Sequence, residues 1–310
     1  MRRLLIIGCG DVGLRVAKAL RGRWRVYALT RSQDRFSELR AEGVMPVPGN
    51  LDHPDSLVRI AGLAHDVVHL APPQGSGTRD TRTVNLIRAL AKGGSLPQRL
   101  VYISTSGVYG DCGGDVIDET RRARPSSDRA RRRLDAEKQI RGWGVENGVQ
   151  VSILRVPGIY SAGRLPIARL KAGTPALVPE RDPYTNHIHA DDLARIVLAA
   201  LNRGRGGRAY NASDDCWMKM GEYFDMVAEQ FDLPRPPRVS WEVAQTDLPE
   251  SLMSFMRESR RLANGRLKKE LRVRLRYPSA QQGVVAAWEA STSSGGTILE
   301  SEEESHGRRQ

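Results

Sequence analysis

The chain has 310 residues, 40% of them hydrophobic and 27% charged. That length and balance exclude wholesale disorder, a collagen-like chain and a coiled coil, and leave room for two domains or one large α/β domain with an appended piece. The formal charge of +12 comes mostly from arginine, only seven of the 48 basic residues being lysine. Without a zinc-finger, helix-turn-helix or RNA-binding sheet signature, nucleic acid is not the expected partner, and a small anionic ligand is the simpler explanation.

Arg3–Gly8 reads as a buried parallel strand closed by glycines, its apolar part too short for a signal peptide. Asp11–Arg21 has helical spacing, with Val12, Val16, Ala19 and Leu20 on one face. Strands follow at Arg25–Thr30, Val44–Val47, Asp66–Ala71, Arg99–Ser104 and Gln150–Arg155. Helices are predicted between them at Phe36–Gly43, Asp55–Ala61, Thr81–Lys92 and Arg129–Trp143. This alternation means a parallel sheet covered on both faces, an α/β doubly wound fold. From Gly158 onward prolines recur, before helices at Asp191–Asn202 and Met220–Phe231 and a strand at Arg208–Asn211. The expected organisation is a nucleotide-binding domain over 1–160, with 182–212 returning to it. A small mixed cap is expected from 161–181 and 213–288, and a disordered tail over 289–310, where Ser, Thr, Gly and Glu dominate. No run approaches the roughly 18 apolar residues of a membrane span. Cys9, Cys112 and Cys216 are too few and too scattered for a disulfide framework or a zinc site, which suits a reducing cytoplasm.

Gly8-Cys9-Gly10-Asp11-Val12-Gly13 is a GxGxxG motif between a strand and a helix. Gly8 permits the tight turn, Gly10 lets backbone approach a pyrophosphate, and Gly13 lets helix and strand pack closely. The helix N-terminus adds free N–H groups and partial positive charge. Proteins that bind NAD usually end the second strand in a carboxylate that holds the ribose 2′-hydroxyl. Here the chain reads Ala28-Leu29-Thr30-Arg31-Ser32. Arg31 is set to pair with a 2′-phosphate, so NADP(H) is expected rather than NAD(H).

Several further segments, in order, resemble the extended short-chain dehydrogenase/reductase family, the group containing NAD-dependent epimerases and dehydratases. Gly49-Asn50-Leu51-Asp52 resembles the segment whose acid meets the adenine ring. His69-Leu70-Ala71-Pro72-Pro73 resembles the fourth strand and the loop beside the cofactor. Tyr102-Ile103-Ser104-Thr105-Ser106-Gly107-Val108-Tyr109-Gly110-Asp111 is similar to the fifth strand and loop of nucleotide-sugar epimerases and dehydratases. Arg155-Val156-Pro157-Gly158-Ile159-Tyr160 resembles the loop flanking the nicotinamide. Asn186–Ala194 and Glu258–Pro278 resemble the family's late motifs. The resemblance implies a Rossmann domain with a C-terminal cap. It also implies cofactor contacts from Gly8, Gly10, Asp11, Val12, Gly13, Arg31, Asp52, Leu70, Ala71, Pro72 and Pro157, and Thr105 as the hydroxyl on the reacting oxygen.

The chain departs from the family at the tyrosine–lysine pair, spaced YxxxK, that carries the proton. Counting back from Ala136-Glu137 puts Arg129 at the tyrosine position and Arg133 at the lysine position, and Arg121–Glu137 contains neither tyrosine nor lysine. Arginine has no acceptor and stays protonated, so it cannot replace the phenol. Arg129 and Arg133, at i and i+4, share a helix face and suit a substrate phosphate or carboxylate; the surrounding run Arg121, Arg122, Arg124, Arg131 and Arg132 reads largely as a solvated face. Tyr109, Tyr160 and Tyr184 read as packed aromatics, with a substitute proton donor the alternative for any of them. Cys9 reads as a small filler of the glycine loop; the alternative is that the helix N-terminus lowers its thiol pKa, so that oxidation could block the cofactor. His187 and His189 lack a third metal ligand and read as structural, so no metal is expected.

The expected protein is thus an NADP(H)-binding oxidoreductase or epimerase/dehydratase-like enzyme, with a degenerate catalytic pair and a small anionic substrate for which a nucleotide sugar is the family default. The alternative is a non-catalytic NADP(H) sensor or scaffold. No membrane association is expected, and a homodimer is the assembly allowed for.

Overall fold

The computed structural model describes residues 1–293. Its centre is a seven-stranded parallel sheet. In chain order the first strands are β1 (Arg2–Ile7), β2 (Trp24–Thr30), β3 (Val44–Pro48), β4 (Asp66–His69) and β5 (Arg99–Thr105). After the short β6 (Val116–Ile117) come β7 (Gln150–Val156), β8 (Gly158–Tyr160), β9 (Ala176–Leu177), β10 (Tyr184–Thr185), β11 (His187–His189) and β12 (Arg208–Asn211). The sheet order is β12-β7-β5-β4-β1-β2-β3, the Rossmann arrangement. Strand order reverses between β1 and β4, where such sheets open a ligand crevice.

Leu4, Leu5, Ile6 and Ile7 are all fully buried, as a strand covered on both faces requires. Helices α1 (Asp11–Leu20) and α6 (Ala190–Arg203) cover one face through Val12, Val16, Leu193 and Ile196. Helices α3 (Thr81–Ala91) and α4 (Asp128–Asn147) cover the other through Leu86, Leu90, Ile140 and Trp143. Between them in sequence lie α2 (Arg35–Ala41) and α5 (Ile167–Lys171). A smaller lobe has its own core of Tyr160, Leu165, Ile167, Leu170, Phe224 and Val284, which α5, the helix Met220–Gln230 and the closing helix Ala280–Ser293 bring together.

Element boundaries move for local reasons. Helix α4 runs four residues past Trp143, to Asn147, and Gly148 turns left-handed at φ 66° and ends it. Strand β4 stops at His69 because the N–H groups of Leu70 and Ala71 both turn onto the Ile7 carbonyl. The segment Pro54–Ile60 is a 3₁₀ helix. The closing helix continues to Ser293, through the start of the segment expected as a tail; 294–310 lies outside the described residues. Among the described residues, no helix is long and apolar enough to cross a membrane.

Two buried carboxylates matter to this packing. Glu137 of α4 is fully buried. It accepts from Ser104 Oγ of β5 at 2.6 Å and from Arg155 Nε and Nη2 of β7 at 3.1 and 2.8 Å. Asp214, just past β12, is 1% exposed. One oxygen accepts from the Cys216 N–H and the other has no partner. Burial pushes its carboxyl up to about 8.

Removing the Glu137 carboxylate as Glu137→Ala leaves Arg155, 4% exposed, without its anion, and should cost about 3–5 kcal/mol in urea unfolding. A loss under about 1 kcal/mol would mean that the guanidinium finds another partner. At Asp214 the sign is opposite. The unfolded carboxyl ionises in its ordinary range while the folded one holds its proton to about pH 8, so stability falls as pH rises through that window. Asp214→Asn should therefore raise the melting midpoint at pH 8, leave it nearly unchanged at pH 4, and flatten the pH dependence between.

Candidate active site

The crevice at the strand reversal begins with the turn after β1. Gly8 has φ +86°, and a Cβ there would lie 2.6 Å from the Ala71 backbone nitrogen, so only glycine lets β1 and the β4 loop come this close. A Cβ on Gly10 would meet nothing within 4 Å. Bare backbone at the head of α1 therefore faces open space, which is the form a diphosphate needs. Gly13 packs its bare Cα toward Leu70, Cys9 and Ile6. Gly8, Gly10, Leu70, Ala71 and Pro72 line a crevice of about 710 Å³. Val12 lies behind it in the core. Asp11 turns away to Arg15 Nε at 2.8 Å, and the same guanidinium bonds Asp191 of α6.

At the end of β2, Arg31 lines the crevice, exposed and without a hydrogen-bond partner among the described residues. Sequence reasoning did not find its neighbour Arg35, in the first turn of α2. This arginine lines the same wall, donates to the Cys9 carbonyl at 2.8 Å and pairs with Glu38. The spacing of four from Arg31 at a helix start was the available signal. Asp52 sits beyond β3 with both carboxylate oxygens held by Arg82 Nε and Nη2 at 2.7 and 2.6 Å. These bonds hold its carboxyl below the usual range. The crevice wall there is made by Asn50, Leu51 and Arg82.

The crevice continues past Pro72 into a cavity of about 270 Å³ bounded by Pro73, Gln74, Gly75, Thr105, Arg129, Arg132 and Arg133. Thr105 and Arg129 also bound a third cavity, reaching Pro157, Tyr184, Asn186, Glu258 and Arg260. Pro72 is common to the first two spaces, and Thr105 and Arg129 to the second and third, so Thr105 stands where those two adjoin. Its Oγ accepts the Gly107 N–H at 3.2 Å, which leaves the hydroxyl proton to give.

Arg133 donates through Nη1 to Ile103 O at 2.8 Å, Tyr102 Oη at 3.2 Å and Ala71 O at 3.4 Å. Its Nε and Nη2 have no hydrogen-bond partner among the described residues. Arg129 lies over the Phe255 ring at 4.1 Å and makes no hydrogen bond or ion pair among the described residues. Burial lowers its pKa, Glu258 counters this, and Arg133, Arg132 and Arg260 add to the lowering. A guanidinium so crowded by cations favours an anion. Arg132 does not belong to the solvated face: it is 7% exposed and bonds the Gly77 carbonyl.

For three residues the packed reading holds over the chemical alternative. Tyr109 is buried with its hydroxyl on Asn211 at 2.7 Å, and burial pushes it up to about 12. Tyr160 is buried in the smaller lobe and bonds the Ser279 carbonyl. Neither lines the cavities that Thr105 bounds, whereas Tyr184 lines the third. Burial pushes the Cys9 thiol up to about 11, outweighing the neighbouring Arg35, so it is not a reactive thiolate. His187 is buried and stacked on Tyr223, and His189 caps α6 by accepting the Asp191 N–H. Among the described residues no group of His, Cys, Asp and Glu could hold a metal.

A family model for the NAD dependent epimerase/dehydratase family matches residues 4–213. Protein YeeZ of Escherichia coli K12 is 26% identical over 247 residues, covering 76% of this chain and 86% of that one. Among solved structures, a functionally unknown conserved protein from Silicibacter pomeroyi is 28% identical with a TM-score of 0.77, covering 94% of this chain and 99% of that one. UDP-glucuronic acid 4-epimerase from Bacillus cereus, solved in complex with NAD, shares the fold at a TM-score of 0.74 and 16% identity, over 95% of this chain and 99% of that one. With its strand order, its glycine turn at the strand reversal and this match, the chain belongs to the NAD-dependent epimerase/dehydratase family.

Proposed function

We propose that the protein is an NADP(H)-dependent oxidoreductase or epimerase/dehydratase-like enzyme acting on a small anionic substrate. The observation that carries the coenzyme choice is at the end of β2. Arg31 stands unpaired on the crevice wall, Arg35 stands beside it, and the wall there has no free carboxylate for a ribose 2′-hydroxyl. A guanidinium fork suits a phosphate. Nucleotide sugars are the first candidate substrates, supported by relatives of the fold such as the Thermotoga maritima epimerase solved with UDP-glucose.

A nicotinamide bound in the crevice supplies or accepts hydride. Thr105 donates its hydroxyl to the reacting oxygen. Arg133, with Nη1 fixed on Tyr102 and Ile103, turns its remaining N–H groups to ribose hydroxyls. Arg129 takes the substrate's phosphate or carboxylate. Proton exchange falls to water or to a group outside the family pair, because no arginine can accept a proton.

The second reading, a cofactor-binding protein without turnover, is favoured by one observation: the two α4 positions that carry the family's proton chemistry are both arginines. Titration and turnover separate these readings. NADPH should bind about 10–100-fold more tightly than NADH. Arg31→Ala should remove most of that preference, and equal affinities in the wild type would refute the coenzyme choice. With NADPH bound, a panel of UDP- and dTDP-linked keto sugars should consume the reduced-nicotinamide absorbance. Thr105→Val should then lower kcat about 10²-fold while leaving the NADPH Kd unchanged. Tight NADPH binding with no consumption across the panel favours the sensor.

A further inference from the structure

The crevice has one charged group that comes from the smaller lobe. Arg164 ends the short turn Ala162–Arg164 that follows β8, and it lines the crevice together with Gly8, Gly10 and Pro72. It is exposed, and among the described residues it makes no side-chain hydrogen bond, ion pair or ring contact. The other crevice arginines issue from the nucleotide-binding half, and two of them are already engaged, Arg35 by Glu38 and Arg82 by Asp52. The backbone beneath Arg164 is fixed: its N–H bonds the Ser161 carbonyl at 2.9 Å, and Leu165, Ile167 and Leu170 are buried in the lobe's core. The side chain is therefore a free cation on a rigid base, lining the same crevice as the glycine turn.

We propose that Arg164 is the counter-cation of the dinucleotide's diphosphate, and so a latch that ties the smaller lobe to the sheet when the coenzyme is bound. The proposal rests on the dinucleotide reading of the crevice. The glycine turn and the head of α1 offer the diphosphate backbone N–H groups and a partial charge from one side only. Phosphate oxygens on the other side need a partner, and a guanidinium supplies two parallel N–H donors and a full charge. Arg164 comes from the segment after β8 in the smaller lobe, whereas Arg31 follows β2, where a ribose 2′-substituent is read. The two arginines therefore read different phosphates, Arg31 the one that distinguishes NADP(H) from NAD(H) and Arg164 the diphosphate common to both.

Calorimetric titration of the full chain with NADPH, NADH and ADP-ribose tests this. Arg164→Ala should weaken all three by a similar factor of about ten, and Arg164→Lys by less. Arg31→Ala should weaken NADPH alone. Coenzyme-induced stabilisation in thermal melts should shrink in Arg164→Ala by the amount its weaker Kd dictates, while circular dichroism of the free variant stays unchanged. Wild-type binding with Arg164→Ala within about two-fold for all three ligands overturns the latch alone. A loss confined to NADPH also overturns it, by moving Arg164 to the 2′-phosphate. A wild type that binds none of the three overturns the dinucleotide reading and the latch with it.

Discussion

Helix α4 is held at one depth and rotation by a carboxylate in its middle. Glu137 meets Ser104 on β5 and Arg155 on β7, two neighbouring strands of the sheet. A buried charge with that many donors tolerates little displacement, because each lost bond strands a partner in low dielectric. Arg133 and Arg129 stand one and two turns before it on the same face. The pair therefore arrives at the carboxyl ends of β4 and β5 whatever its own chemistry. The helix thus delivers two guanidinium groups to this end of the sheet.

Those two groups join a cluster of cations around Thr105. Arg129, Arg132, Arg133 and Arg260 line the cavities there, with Glu258 the nearby acid. Arg260 is held by Glu258 and by the Gly110 carbonyl, and Arg132 by the Gly77 carbonyl. Arg129 alone of the four lacks a polar partner among the described residues. The cavities beside Thr105 therefore carry a surplus of positive charge. The high arginine content seen in composition thus has a local counterpart, although most of the ion pairs on this chain are ordinary surface pairs of small energetic weight.

The same crevice divides its work between turns and side chains. The glycine turn contributes by absence: a Cβ at Gly8 would collide with Ala71, and the space before Gly10 is open. Around that turn stand the side chains of Arg31, Arg35 and Arg164. Asp11 would set a negative charge at the head of α1, and Arg15, shared with Asp191 of α6, neutralises it. An acidic first turn stabilises the helix, and the salt bridge keeps it from repelling a bound diphosphate.

Local constraints were legible in the chain itself. The parallel sheet, the strand–turn–helix with Gly8, Gly10 and Gly13, the missing acid after Thr30 and the arginines at 129 and 133 follow from period, spacing and backbone sterics over a few residues. Those forces act between near neighbours and leave a pattern in sequence. What only the tertiary structure decided were partnerships between distant segments. Asp52 is taken by Arg82, Tyr109 is sealed against Asn211, Arg132 is turned inward to Gly77, and Arg164 is brought to the glycine turn. Burial and charge pairing are properties of the packed whole, and an arginine in a string of letters carries no mark of which carbonyl, carboxylate or open crevice it will face.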